Sequence, residues 1–264
     1  MPKRRLDTLL AERGLYESRS RAAAAVLAGD VRLGGQGRRA SKPGQMVTDD
    51  VDVEVAEPPP FVSRGGVKLA NALDSFGIDP AGRLCLDVGA STGGFTDCLL
   101  QRGAEAVMAV DVSYGELHWK VRQDPRVTVL ERTNARSLSP EALPSRPDLV
   151  VADLSFISLG KVLPAVLASV AMSFDLVALV KPQFELGRDR VGKGGVVREA
   201  EDRREALVSI GRVARDELGV AVLGYASSGL PGPAGNRESF IWLAEGGRAG
   251  AVQDLEAAAR RAEP

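Results

Sequence analysis

Continuous apolar runs alternate with amphipathic stretches over most of the chain. "RLCLDVGA", "AVMAVDV", "RVTVLER", "PDLVVADLSF" and "FDLVALVKPQF" read as strands, and "AVLGYASSGL" and "ESFIWLAE" as closing strands. "GGVKLANALDSFG", "GFTDCLLQRG", "GKVLPAVLASV" and "EAEDRREALVSIGRVARDEL" carry the 3.6-residue spacing of helices. Strands that are apolar on both faces and separated by helices predict a mostly parallel sheet covered on both sides, the doubly wound α/β class. The first fifty residues follow a different rhythm. "RLDTLLAERGLYESRSRAAAAVLAGDVRL" reads as two short helices, the first presenting Leu6, Leu9 and Leu10, the second starting near Ser18 and ending at Gly29. "VRLGG" and "VDVEV" then read as short strands around a turn-rich segment, giving a small α+β module. "AEPPPF" favours extended polyproline geometry, a semi-rigid spacer. The expected plan is a small domain at 1–57, a linker at 58–63 and a doubly wound, Rossmann-like domain at 64–264.

Charge separates the two parts further. Residues 1–42 hold ten Lys or Arg against four Asp or Glu, net +6, so the remainder carries −7 to reach the overall −1. The basic face presents Arg19, Arg21, Arg32, Arg38, Arg39 and Lys42, with Arg5 beside them. Phosphate is the natural partner of such a face, and a solvated surface is the bland alternative. With 44% hydrophobic and 26% charged residues the chain is of the globular kind. Cys85 and Cys98 have neither disulfide nor metal-site spacing, which fits a reducing, cytoplasmic setting and no metal centre. The most apolar stretch, "VLPAVLASVAMSFDLVALV", is interrupted by Pro164 and Asp175, so no membrane span is expected.

The candidate chemistry begins at "LDVGASTGGFTDCLL", where a strand breaks into glycines and restarts as a helix. Gly89, Gly93 and Gly94 allow a ligand close to the backbone, and the following helix turns free N–H groups toward it. Ser91 stands at the second glycine position of G-x-G-x-x-G, which disfavours a nicotinamide cofactor. Acidic and amide residues at successive strand ends favour S-adenosyl-L-methionine instead: Asp87, Asp111, Asn134 and Asp153. An acid at the second strand end can take both ribose hydroxyls, Asn134 can read the adenine edge, and a carboxylate can face the ammonium or sulfonium. Ala90, Ser91, Thr92, Val112 and Ala135 complete the candidate donor site. Each residue alone could equally be a turn cap.

A second glycine-rich segment, "GRDRVGKGG", nearly spells a phosphate loop, but Gly194 stands where the metal-binding hydroxyl is needed. It is expected as a loop over the pocket, with Arg188, Arg190 and Lys193 available to RNA. His118 is the single histidine and is better explained by packing than by catalysis. Lysines and carboxylates remain as reactive groups: Lys68 in "VSRGGVKL", Asp153 in "VVADLSF", Lys181 in "LVKPQFE" and Glu238 in "GNRESFIWL". "DLSF" replaces the "NPPY" or "DPPY" of base-amino methyltransferases and favours hydroxyl methylation.

The segment from Arg5 to Val55, notably "RLDTLLAERGLYESRSRA" and "AGDVRL", resembles the small RNA-binding domain first known in a small-subunit ribosomal protein. That resemblance implies recognition of structured RNA by shape and phosphates. The four reactive residues resemble the Lys-Asp-Lys-Glu tetrad of FtsJ-type ribose 2'-O-methyltransferases. With the RNA-binding domain in front, the whole chain resembles the TlyA family of ribosomal RNA 2'-O-methyltransferases, in "LDVGASTGGFTDCLL", "VDVSYGEL", "VLERTNARSL", "LVVADLSFISL", "LVKPQFELG" and "GPAGNRESFIWL". It implies Lys68, Asp153, Lys181 and Glu238 as catalytic, and a cytidine 2'-hydroxyl of ribosomal RNA as acceptor, with action on both subunits if the longer form is meant. Arg64, Arg132 and Arg136 join the candidate RNA contacts, and no obligate protein partner is expected. Phe61 after three prolines stands where some relatives carry tryptophan. A non-catalytic RNA-binding assembly factor and a membrane-active haemolysin are the alternatives.

In chemical terms, a ribose hydroxyl is a poor nucleophile near neutral pH, while the thioether that leaves a sulfonium is neutral and needs no acid. Free lysine has a pKa of about 10.4, so Lys181 either acts as a base after desolvation and with help from Lys68, or stabilises the oxyanion. Lys68 is expected to orient the hydroxyl, Asp153 to position Lys181 and the methyl, and Glu238 to fix a lysine or the ribose.

Overall fold

The computed structural model describes residues 3–35, 37–56, 59–187 and 190–263. The chain divides into two units, Met1–Pro59 and Pro60–Pro264. In the first, β1 (Lys3–Arg5) runs into α1 (Leu6–Glu12), followed by α2 (Arg19–Ala28), β2 (Val31–Leu33), β3 (Arg38–Arg39), β4 (Met46–Thr48) and β5 (Val53–Val55). Leu6, Leu9 and Leu10 of α1 meet Ala22, Ala25 and Val26 of α2 and Val31 of β2 in a small core. Ser18 caps α2 by accepting from Arg21 N at 3.2 Å, and Gly29 ends it in the left-handed conformation. β2 pairs antiparallel with both β3 and β5. The pairing of β1 with β4 is a further short ladder that two- and three-residue strands do not announce in their sequence pattern.

The second unit contains α3 (Arg64–Phe76), β6 (Leu84–Val88), α4 (Gly94–Gln101), β7 (Ala106–Val110), α5 (Trp119–Arg122), β8 (Val127–Leu130), β9 (Leu149–Ala152), α6 (Leu163–Leu167), β10 (Asp175–Val180), α7 (Pro182–Glu185), α8 (Ala200–Arg212), β11 (Ala221–Ser227), β12 (Ser239–Ala244) and α9 (Leu255–Ala262). Its seven strands lie in the order β11-β12-β10-β9-β6-β7-β8. β6, β7, β8, β9 and β10 pair in parallel, and β12 inserts antiparallel between β10 and β11. Every residue of β6 beyond Leu84, and all of β9 and β10, is buried, as expected for strands covered on both faces. One core layer holds Leu86, Val150, Leu176 and Ile241 against α8, and the other holds Leu69, Leu73, Leu99 and Phe240 under α3 and α4.

Strand order reverses between β6 and β9, which opens a crevice at their carboxyl ends. The glycine bend leaves β6 there. Of the proline-rich spacer, Glu57 and Pro58 lie outside the described residues. Its C-terminal end is tied into the second unit: Pro60 O accepts from Gln101 Nε2 at 2.9 Å, and Val62 N donates to the buried Asp97 at 2.9 Å. The tail forms α9, capped by Asp254, and Glu263 then accepts from the Arg203 guanidinium at 2.9 and 2.7 Å.

Candidate active site

The bend after β6 is shaped by contact with the neighbouring strand end. Asp153 N donates to Val88 O at 3.0 Å, and Gly89 follows with φ +87°. A Cβ on Gly89 would stand 2.5 Å from the Asp153 carbonyl oxygen, so only glycine lets the two strand ends lie side by side. Ser91, Arg132 and Phe156 are the three non-glycine residues with positive φ among the described residues. Ser91 and Phe156 line a cleft of about 600 Å³, together with Gly89, Asp111, Val112, Asn134, Ala135 and Asp153. Two of the three strained positions thus lie at one site, as in binding and catalytic centres generally.

Asp111 holds this geometry with both oxygens, accepting from Ser91 N and Ser113 N at 2.7 Å each. A carboxylate has about four acceptor positions, so capacity remains for a diol. Asn134 Oδ1 accepts from Arg136 N at 3.0 Å and caps a 3-10 turn, which leaves its amide N–H groups for a ligand. Asp87 does not line the cleft: it is fully buried behind the bend, with Oδ2 accepting from Thr96 Oγ1 at 2.6 Å. Its Oδ1 has no hydrogen-bond partner among the described residues, and burial pushes the carboxyl up to about 7. Gly93 packs under Leu117 and Val121. An unmatched buried acceptor beside the bend, a cleft of ligand size and a diol-competent acid are compatible with a nucleoside-bearing cation such as S-adenosyl-L-methionine.

A second cavity of about 440 Å³ adjoins the first along Gly89, Ser91, Asp153 and Ser155. Lys68, Asp153, Lys181 and Glu238 all line it, with Ala90, Thr92, Gly94 and Arg64. Lys68 lies on the buried face of α3 and its Nζ is 2.5 Å from Glu238 Oε2; the two side chains are 8% and 2% exposed. Glu238 enters β12 beneath the 228–236 loop, where a Cβ on Gly232 would stand 2.5 Å from Glu238 Oε1, so a larger residue there would push the carboxylate aside. Lys181 follows β10, with Nζ 2.5 Å from Asp153 Oδ1 and donating to Ser155 Oγ at 3.0 Å. The Asp153 contact lacks the direction of a hydrogen bond, so the oxygen is paired by charge alone. Two ammonium groups, each matched by a carboxylate, thus face one space next to the cleft. Such a set can grip a hydroxyl and carry the charge it develops.

Arg5, Arg19, Arg21, Arg32, Arg38, Arg39 and Lys42 are all exposed in the first unit, and Arg64, Arg132 and Arg136 are exposed in the second. Not all are free for phosphate: Arg39 donates to Ala28 O at 2.6 Å and closes the end of α2. Arg132 stacks over Tyr114 at 4.5 Å, and Arg64 donates to Pro231 O at 2.7 Å at the rim of the second cavity. Arg136 lines the cleft. The expectation that Arg190 serves RNA is corrected by the structure, because its guanidinium is committed to Asp202 and Glu205. Arg188 lies outside the described residues. The segment after it is tied down by Asn236, which accepts from Val197 N at 2.8 Å and donates to Gly195 O at 2.7 Å. His118 is exposed and caps α5 by accepting from Lys120 N. Sequence reasoning missed Ser155, which lines both cavities, and Glu185, which accepts from Ser158 Oγ at 2.6 Å and Leu159 N at 2.9 Å. Both stand inside quoted motifs, but only the folded backbone shows what they face.

Comparison with known proteins adds to this geometry. Residues 61–245 match the FtsJ-like methyltransferase family and residues 4–53 match the S4 domain. The chain is 51% identical over 261 residues to "16S/23S rRNA (cytidine-2'-O)-methyltransferase TlyA" of Mycobacterium tuberculosis, covering 98% of this chain and 96% of that one. It is 40% identical over 204 residues to "Hemolysin A" of Brachyspira hyodysenteriae, covering 77% and 84%. A solved structure from Streptococcus thermophilus, described as a hemolysin candidate, superposes with a TM-score of 0.73 at 38% identity, covering 99% of this chain and 96% of the other. The extent of these matches places the chain in the FtsJ-like methyltransferase family and, within it, in the TlyA group that carries an S4 domain in front.

Proposed function

We propose that this protein transfers a methyl group from S-adenosyl-L-methionine to the ribose 2'-hydroxyl of cytidine in ribosomal RNA, in the cytoplasm and without an obligate protein partner. The observation that carries the reading is the meeting of Lys68, Asp153, Lys181 and Glu238, from four separate segments, in a cavity that opens onto the cleft at the glycine bend. The relatives named for cytidine-2'-O methylation of ribosomal RNA supply the acceptor.

The bend at Gly89–Gly94, Asp111 with Val112, and Asn134 with Ala135 hold the donor, and the Asp87 carboxyl, buried behind the bend, acts on its positive end through charge without touching it. Bound there, the donor supplies an electrophilic methyl on a sulfonium whose leaving thioether is neutral. The protein therefore needs to act on the nucleophile alone. Lys68, locked by Glu238, orients the 2'-oxygen; Lys181, set by Asp153 and Ser155, either takes the hydroxyl proton as a neutral amine or, as an ammonium, stabilises the negative charge developing on that oxygen while the proton passes to solvent. Both lysines are pre-positioned, so little reorganisation is needed as charge develops. The exposed arginines of the first unit bind RNA phosphates.

Mapping of 2'-O-methyl groups in ribosomal RNA from cells with and without the gene tests the reading. Specific cytidine positions are expected to lose the modification in the deletion and regain it with the wild-type chain but not with Lys181→Ala. Persistence of every modification in the deletion would overturn it.

A further inference from the structure

The first unit contains a buried charge that neither its core nor the methyl-transfer site explains. Asp7 is 2% exposed, and its carboxylate is held well below the usual range, chiefly by hydrogen bonds from Arg5. Arg5 donates to it through Nε at 3.1 Å and Nη2 at 2.7 Å, and Arg19 Nε stands 3.2 Å away. The two guanidinium groups come from different elements, the end of β1 and the first residue of α2. Both side chains remain about half exposed, at 47% and 58%, although their inner edges are fastened. Arg5 Nη1 and both Nη atoms of Arg19 make no hydrogen bond among the described residues. The backbone at the start of α1 sets the location of a third cation. Asp7 N donates to Pro43 O at 3.0 Å and Leu6 N to Gln45 O at 2.9 Å, docking the turn that carries exposed Lys42. Gln45 Oε1 closes that turn on Ser41 N at 2.7 Å.

A buried carboxylate is a poor device for stability, because its desolvation offsets the attraction, and an apolar residue packs as well. What it does supply is direction. A guanidinium has five donors in a rigid fork; fastening one edge aims the other. A free arginine has to give up its rotamers when it meets a ligand, whereas one already fixed has little left to lose.

We propose that Asp7 is a positioning residue that presets Arg5 and Arg19, with Lys42 alongside, as a clamp for one phosphate of structured RNA. This rests on the RNA-modifying reading above, but not on methyl transfer itself. Charge counting makes the opposite prediction: Asp7→Asn removes a negative charge from a phosphate-binding face and should tighten binding.

Binding of the full-length chain to transcribed large-subunit ribosomal RNA, measured without methyl donor over a range of salt concentrations, separates the two. Asp7→Asn is expected to weaken binding about tenfold with the salt slope nearly unchanged, while Arg5→Ala and Arg19→Ala each lower the slope by about one. The Arg5→Lys/Arg19→Lys variant keeps the charge and loses the forks, so it should weaken binding to a similar degree, and Asp7→Asn added to it should cost no more. Affinity for the donor serves as the control and should not move. Equal or tighter RNA binding by Asp7→Asn overturns the proposal. If that variant fails to fold, wild-type affinity in the double lysine variant overturns it instead. A wild-type chain that binds no RNA would sink both this proposal and the reading beneath it, whereas binding that ignores Asp7 sinks the clamp alone.

Discussion

At the scale of single residues, the buried pair of Lys68 and Glu238 shows how function can be told from stability. Both side chains are almost wholly removed from water, and neither has a second charged partner within 4 Å among the described residues. Glu238→Gln should therefore cost on the order of 3–5 kcal/mol, read as a fall in unfolding free energy, because an ammonium is left buried without a counter-charge. The double replacement Lys68→Met/Glu238→Leu should recover most of that stability and still transfer no methyl groups. Activity in the double variant would show that the pair is only structural. Asp87 gives a second test. Its carboxyl is pushed up to about 7 from an unfolded value near 3.8 by burial, so the folded protein holds the proton more tightly than the unfolded chain. The associated stability is fully present below about pH 4 and lost as pH rises to about 7, a change on the order of a few kcal/mol that Asp87→Asn should abolish in pH-dependent melting. Binding of a cationic donor favours the ionised form, so donor affinity should rise between pH 6 and 8 in the wild type and stay flat in the variant. These positions were partly legible in the sequence: the lysines and acids could be named from strand-end spacing and family resemblance. Which lysine pairs with which acid could not, because segments 170 residues apart make the Lys68–Glu238 contact.

At the scale of elements, the apolar runs located the sheet, since β6, β9 and β10 are buried on both faces and carry no competing polar pattern. Short elements were less visible. α5 and α7 have four residues each, too few for a helical period, and α7 starts at Pro182, one residue after the strand. The long helix expected over 199–218 instead becomes α8 and then one π-helical turn at Val213–Glu217 before Gly219. α7 nevertheless matters for the site. Glu185 at its end binds Ser158 and Leu159, so the loop after β9 and the segment after β10, which carry Asp153 and Lys181, are held to one spacing. Burial raises the Glu185 carboxyl above its ordinary value, a cost offset by those two donors. Glu185→Ala should lower the methyl-transfer rate about tenfold and destabilise by roughly 1–3 kcal/mol, from two orphaned donors. Unchanged turnover with the expected loss of stability would assign Glu185 to folding alone.

At the scale of the whole molecule, the sequence divides its labour between a basic first unit and an acidic second one, and each has its own core. The composition shift and the proline-rich spacer made that division legible, and the helix caps Ser18 and Gly29 sit where the sequence puts them. What could not be read was that residues 60–62 of the spacer are bonded into the second unit, because Asp97 and Gln101 reveal their partners only once α4 is formed. A chain of residues 60–264 should therefore bind S-adenosyl-L-methionine with wild-type affinity while losing at least tenfold in apparent affinity for ribosomal RNA. The central claim, that two lysine–carboxylate pairs beside the glycine bend deliver a methyl to a sugar oxygen, is tested most directly with purified protein, isotopically labelled donor and ribosomal subunits. The label should appear in 2'-O-methylcytidine and fall at least a hundredfold in Lys181→Ala, with donor affinity retained. Label on a base atom, or undiminished transfer by Lys181→Ala, would contradict the account.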